Sequence, residues 1–251
     1  MNREVIGLIP AAGKGVRLGL PYPKELYPII RDNHYKPVAQ FVLDNLTTAG
    51  VKHIVFVINE TKHQLIAYFG AGRRFGCDIS YVVQEQVDGG GKSTSPGLAH
   101  ALDAAYHLTK DKIVIFGMAD TIMQPRDALA QSFQQLDADT DVILVMFSTE
   151  RPEKFGMVRR DPAQRVVEIV DKPRQTELTE MWGSIIWRPR FTEYLHDCVT
   201  RQGISDFAQI MNNAIKDGLH FRGVHIGNGT YIDLGTYEEI MEMDQRFRDE
   251  R

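Results

Sequence analysis

The chain has 251 residues, of which 43% are apolar, 25% charged and 9% aromatic, a mixture that buries a full core and excludes disordered, collagen-like and low-complexity chains. Its formal net charge of −4 is small and its charges are interspersed, which argues against binding to nucleic acid or a membrane surface while leaving room for a local basic pocket for phosphates. No basic segment followed by an apolar one opens the sequence, and no run of about 18 apolar residues occurs, so the expectation is a cytoplasmic protein without membrane contact. No linker rich in proline, serine or one sign of charge divides it, so a single domain with a modest second half is expected. The two cysteines, Cys77 and Cys198, lack CxxC or Cys/His ligand spacing, which reads as buried thiols rather than a disulfide or a zinc site.

Residues 5–9 form an apolar run that predicts a first strand, and it leads directly into Pro10-Ala11-Ala12-Gly13-Lys14-Gly15-Val16-Arg17-Leu18, a loop of small residues with nothing to fill a core. From 37 to 49, Val38, Phe41, Val42 and Leu46 recur at helical spacing, with Gly50 as a stop. Strand-like runs follow at 54–58, 79–83, 113–117 and 142–147, separated by helix-like stretches such as 98–108 and 127–136, an alternation that predicts an α/β sheet, mostly parallel, with helices on both faces. Beyond about residue 150 the pieces shorten. Strands are expected at 157–160, 166–170 and 182–187, helices near 191–199 and 206–217, and a last strand at 221–226 before Tyr231-Ile232-Asp233-Leu234-Gly235-Thr236 and a closing helix.

In an open parallel sheet, ligands bind beyond the carboxyl ends of the strands. The first strand ends in a glycine-bearing loop whose Arg17 offers a bidentate fork, and Lys24 in Pro23-Lys24-Glu25-Leu26-Tyr27-Pro28-Ile29 offers a compact charge. That combination suits phosphate oxygens. Two lookalikes fail. Gly13-Lys14-Gly15-Val16-Arg17-Leu18 has leucine where the dinucleotide fingerprint needs its third glycine, and Gly89-Gly90-Gly91-Lys92-Ser93-Thr94 lacks the first glycine of a P-loop, Gln86 standing in its place. The eight histidines show no zinc-binding spacing, and neither Ser93 nor Ser184 lies in a nucleophile elbow.

Ala11-Ala12-Gly13-Lys14-Gly15-Val16-Arg17-Leu18 and Pro23-Lys24-Glu25-Leu26-Tyr27-Pro28-Ile29 resemble the signature of the sugar-phosphate nucleotidyltransferases, closest in form to bacterial glucose-1-phosphate uridylyl- and thymidylyltransferases. Further matches follow in the family's order: Gln84, Gly97-Leu98-Ala99-His100-Ala101, Ala119-Asp120, Phe155-Gly156-Met157-Val158, Val170-Asp171-Lys172-Pro173, Trp182-Gly183 and Tyr231-Ile232-Asp233-Leu234-Gly235-Thr236. The resemblance implies a Rossmann-like, three-layer α/β nucleotidyltransferase fold with a mixed central sheet. Residues 1–150 would be its nucleotide-binding half and 151–251 its β-rich sugar-phosphate half. It implies Mg²⁺-dependent transfer of a nucleoside monophosphate from a nucleoside triphosphate, UTP or dTTP first, to a sugar 1-phosphate, with homodimers or tetramers as the expected assembly.

By the same resemblance, Ala11, Ala12, Gly13 and Gly15 line the nucleotide, Gln84 and Gly97 meet the base, Arg17 holds the departing phosphates, and Lys24 stands by the α-phosphate. Lys172 fixes the sugar phosphate, while Asp171 and the backbone at Gly156 and Gly183 read sugar hydroxyls. Asp120 and Asp233 each follow a strand at one sheet edge and are the expected magnesium ligands.

Four departures bear on substrate choice. The spacing from Arg17 to Lys24 is short, as in cytidylyltransferases. Residues 85–96 form an insertion beside the nucleotide. Asp171 stands where the family more often has glutamate, and Glu180-Met181-Trp182-Gly183 lacks the family's asparagine before the glycine. CTP with a less common phosphorylated acceptor is therefore the second expectation. A glycosyltransferase would need a second aspartate in Ala119-Asp120-Thr121-Ile122, and a non-catalytic sensor would have no use for both metal carboxylates and Lys24.

Overall fold

A computed structural model describes residues 4–15, 18–31, 34–85 and 97–249. The first apolar run is β1 (Val5–Pro10), buried on both faces as a central parallel strand requires. A short hairpin, β2 (Pro28–Arg31) with β3 (His34–Pro37), follows and feeds α1 (Val38–Thr48). Then come β4 (His53–Ile58), α2 (His63–Phe69) and β5 (Asp78–Val83).

The segment 98–108 is two helices rather than the single one expected, α3 (Leu98–Asp103) and α4 (Tyr106–Thr109). Its ladder tightens there, since Ala104 N–H still reaches back four residues to His100 while Ala105 N–H reaches only three, to Leu102. Next are β6 (Ile113–Gly117), β7 (Thr121–Gln124), α5 (Ala128–Phe133) and β8 (Val142–Ser148). The second half adds β9 (Gly156–Arg160), β10 (Val166–Asp171), β11 (Glu180–Trp187), α6 (Pro189–Thr200), α7 (Phe207–Lys216), β12 (Phe221–His225), β13 (Thr230–Asp233) and α8 (Tyr237–Asp249).

Among the described residues, nine strands form one sheet in the order β10-β9-β11-β6-β1-β4-β5, with β8 on β11 and β12 on β8. Strands β6, β1, β4 and β5 run parallel, as does β12 with β8, but β11 enters antiparallel between β6 and β8. The sheet is thus mixed, and β9, β10 and β11 extend it rather than building a separate β-rich layer.

Helices cover both faces. One face packs Leu8, Phe116 and Trp187 against residues of α3, α6 and α7, while the other packs Phe56, Ile115 and Phe147 against α1, α2 and α5. A third cluster, Leu18, Ile29, Val38, Ile122, Leu234, Ile240 and Met243, joins the opening loop and hairpin to α8 and to the ribbon of β7 with β13.

Candidate active site

β1, β4, β5 and β6 end on the same edge, so residues 11–15, 59–62, 84 and 118–120 all emerge there. Ala11 N–H donates to the Val57 carbonyl at 2.7 Å and the Asn59 side-chain amide donates to the Ala12 carbonyl at 2.7 Å, which fixes the start of the opening loop. Gly15 has a φ of 62°, a conformation that side chains with a Cβ resist. A Cβ built there would lie 3.7 Å from Cγ of Lys24, so the lysine stem runs alongside this turn. Gly13 faces open space. Arg17 lies outside the described residues, as do residues 86–96 of the expected insertion.

Residues 23–27 coil into a short 3-10 turn at Lys24–Leu26. From it the Lys24 ammonium pairs with the Asp120 carboxylate. Asp120 does not cap the helix that begins at Ala128; it precedes β7, a strand too short for its apolar run to be visible in the sequence. β7 pairs antiparallel with β13 so that Asp233 stands opposite Thr121, and Leu234 N–H donates to the Asp120 carbonyl at 3.0 Å. The two acids that are 113 positions apart in sequence therefore occupy neighbouring backbone segments. Burial alone would lower the Lys24 pKa, but the charge of Asp120, its hydrogen bond, and the charges of Glu25 and Asp233 hold it above the ordinary lysine value.

The residues expected at the acceptor group separately. Asp171 ends β10 opposite Gly156, and the exposed Lys172 follows at a φ of 46°, its N–H donating to the Phe155 carbonyl at 3.0 Å. A left-handed lysine is a strained backbone position held by its turn. Gly156 and Gly183 both lie beneath aromatic rings. A Cβ on Gly156 would come within 2.2 Å of Trp182 Nε1, and one on Gly183 within 2.5 Å of the Tyr231 ring. Packing therefore accounts for both glycines without reference to a ligand. Tyr231 also contacts Phe155 at 6.0 Å between ring centroids and lies two residues before Asp233, so it links the two groups of residues.

Gln84 is buried just past β5, its N–H donating to the Ile58 carbonyl at 2.7 Å, and Gly97 caps α3. A Cβ on Gly97 would sit 3.3 Å from the Ser205 carbonyl oxygen.

Three site-shaping residues carry no role in the sequence reading. Glu25 and Lys62 form a buried ion pair, 2% and 3% exposed, and burial pushes the Glu25 carboxyl above its usual range although Lys62 draws it back. No motif signals that pair. Glu239 was legible, because Thr236 followed three residues later by glutamate is a capping box. One oxygen of Glu239 accepts from Gly235 and Thr236 N–H, both at 2.8 Å, and the other from Lys154 at 2.7 Å. These contacts depress its pKa although burial opposes them.

Residues 6–250 match the model of the nucleotidyl transferase family. A low-salt glycan biosynthesis nucleotidyltransferase, Agl11 from Haloferax volcanii, is 25% identical over 95% of this chain; the chain spans about 65% of that relative's length. Among solved structures, a putative glucose-1-phosphate thymidylyltransferase from Bacillus anthracis, crystallised with sucrose, aligns with a TM-score of 0.81 at 20% identity, covering 98% of this chain and 96% of the other. A UDP-glucose pyrophosphorylase with UDP-glucose gives 0.77 at 20% identity over 99% and 100% of the two chains. The UTP-bound UGPase of Acinetobacter baumannii gives 0.76 at 14% over 99% and 94%. At these identities the structural matches bear on the fold.

Proposed function

We propose that this chain, which belongs to the nucleotidyl transferase family, transfers a uridylyl or thymidylyl group from UTP or dTTP to a sugar 1-phosphate. An oxygen of the sugar phosphate attacks the α-phosphorus; that P–O bond forms as the bond to the bridging oxygen of the β-phosphate breaks, and pyrophosphate leaves with the electron pair. The protein's part in such a transfer is to align the reactants and oppose developing charge. Lys24 does so at the α-phosphate, Arg17 at the departing phosphates and Lys172 at the acceptor phosphate. The amides of Ala12, Gly13 and Gly15 face the triphosphate, while Ala11, whose N–H is held by Val57, lines it only as the start of the loop; Gln84 and Gly97 face the base, and Asp171 the acceptor hydroxyls.

The observation that carries this reading is the convergence of Lys24, Asp120 and Asp233 beside the opening loop. Two carboxylates on adjacent segments fit Mg²⁺, which takes one or two of them and completes its shell with water and phosphate oxygens. Among the described residues no cluster of three or more His, Cys, Asp or Glu offers a cage built from protein alone. Asp120 and Asp233 would hold the ion, which when bound would supply charge neutralisation at the phosphates. Among the described residues no helix is long and apolar enough to cross a membrane.

A second reading, cytidylyl transfer to a different phosphorylated acceptor, rests for the base on the short spacing from Arg17 to Lys24 and for the acceptor on the Trp182 indole packed over Gly156. One assay tests both. The protein is mixed with Mg²⁺, each of ATP, GTP, CTP, UTP and dTTP, and a panel of sugar and polyol phosphates, and pyrophosphate is measured. Release with UTP or dTTP and a sugar 1-phosphate supports the first reading, and release with CTP alone the second. Silence throughout with tight triphosphate binding points to a sensor and refutes both.

A further inference from the structure

We propose that Asn59, Lys62 and Glu25 form a clamp that positions Lys24 and the opening loop for transfer, a role that rests on the reading above and falls on residues with no contact to the reacting atoms. All three residues are buried, at 1%, 3% and 2% exposure. They connect a single turn after β4 to both segments that face the triphosphate. Asn59 reaches the Ala12 carbonyl at 2.7 Å, and its own oxygen accepts from Thr61 N–H at 3.0 Å and Thr61 Oγ1 at 2.7 Å, so the amide is held in place. Lys62 N–H closes the turn on the Asn59 carbonyl at 3.0 Å while its ammonium reaches Glu25 at 2.5 Å.

Glu25 in turn anchors the 3-10 turn that begins at Lys24, closed by Leu26 N–H to the Pro23 carbonyl and Tyr27 N–H to the Lys24 carbonyl, both at 2.9 Å. The lysine thereby leaves a fixed backbone and meets Asp120 with only 13% of its side chain exposed.

A buried ion pair is a costly way to obtain stability, since apolar side chains of similar volume serve as well or better. This pair is also incompletely satisfied, because Glu25 Oε2 is buried without a partner. What the charges supply that an apolar pair would not is direction. A single carboxylate oxygen on an ammonium fixes where the turn sits, and a displacement of about 1 Å at a phosphate-facing group is enough to cost about 100-fold in rate.

The test compares the parent enzyme with Glu25→Asp, which keeps both charges and shortens the arm by one methylene, and with the double variant Glu25→Leu/Lys62→Met, which replaces the pair by apolar groups. Four quantities are read: the unfolding midpoint, kcat and KM by pyrophosphate release, and the rate at which an N-hydroxysuccinimide ester acetylates Lys24 relative to exposed Lys52. The clamp predicts that both variants lose about 10- to 100-fold in kcat with triphosphate KM changed less than about threefold. It also predicts Lys24 labelling several-fold faster, with the double variant's midpoint within about 3 °C of the parent.

Parent kcat and parent Lys24 labelling in a folded double variant would overturn the proposal and leave the pair a packing element. If the double variant does not fold, Glu25→Asp decides by the same two readouts. A parent that releases no pyrophosphate with any substrate pair sinks the transfer reading, and the labelling ratio then decides the clamp alone.

Discussion

Asp233 ends a four-residue strand held to Asp120 by the β7 ladder, and its charge reaches both Lys24 and Tyr231. Under the proposed transfer Asp233 would hold a cation on developing charge and so contribute more in the transition state than in the bound triphosphate. Asp233→Asn keeps the shape and removes the charge. Its expected outcome is a fall in kcat of about 100-fold or more with triphosphate affinity changed by no more than a few-fold. Steady-state kinetics with calorimetric binding checks it, and unchanged turnover would remove Asp233 from the site.

Gly156 and Gly183 belong to the same scale but act through packing. Gly183→Ala drives a Cβ to 2.5 Å from the Tyr231 ring and 3.1 Å from Phe147. Overpacking of that kind costs about 1–3 kcal/mol. In a chain of this size the unfolding midpoint should drop by roughly 2–4 °C per kcal/mol, and a midpoint unchanged in a thermal melt would mean that Tyr231 yields without cost.

At the scale of elements, α8 is more than a closing helix. Glu239 caps it, restrains Gly235 and Thr236 directly after the Asp233 strand, and ties the turn to Lys154 in the short 3-10 segment before β9, while Tyr237 Oη donates to the Leu18 carbonyl. Because the folded-state pKa of Glu239 is depressed below the ordinary glutamate value, the stabilisation it brings is complete above that ordinary value. It disappears as pH falls through and below it, where the unfolded chain takes up the proton first. Glu239→Gln should therefore lower the unfolding midpoint at pH 7 and flatten its decline between about pH 5 and pH 3. Parallel midpoint curves for parent and variant over that range would show that the carboxylate is not what links the turn to acidity.

The capping residue was readable because the box has a local pattern, and the long strands were readable because burial on both faces imposes continuous apolar runs on β1, β4, β6 and β8. β7 and β13 were not. At four residues each they carry too little sequence for periodicity, yet their pairing is what makes Asp120 and Asp233 neighbours. The Glu25–Lys62 pair escaped for a related reason: its members are 37 positions apart, and only the fold says that two charges there share a buried space.

For the molecule as a whole, the sequence divides naturally near residue 150, where long helix-separated strands give way to shorter ones, and residues 1–150 read as a nucleotide half. The sheet does not respect that boundary. β8 lies in the first half by sequence, but its two neighbours, β11 and β12, both come from the second, and β11 also covers the flank of β6 that β1 leaves open. Cutting the chain at 150 would strip β8 of every ladder hydrogen bond it makes and turn β6 into an exposed edge whose side chains are fully apolar. It would also remove α6 and α7, which pack over Leu8 and Phe116 on one face. Unpaired apolar strands of this kind associate instead of folding. A fragment of residues 1–150 is accordingly expected to be aggregation-prone and to show no cooperative melt, whereas the full chain should lose structure in one transition. Hydrogen exchange provides the local check. Amides of 142–148 should be among the slowest in the full chain and among the fastest in the fragment, and strong protection of that segment in the fragment would mean that the nucleotide half is a folding unit in its own right.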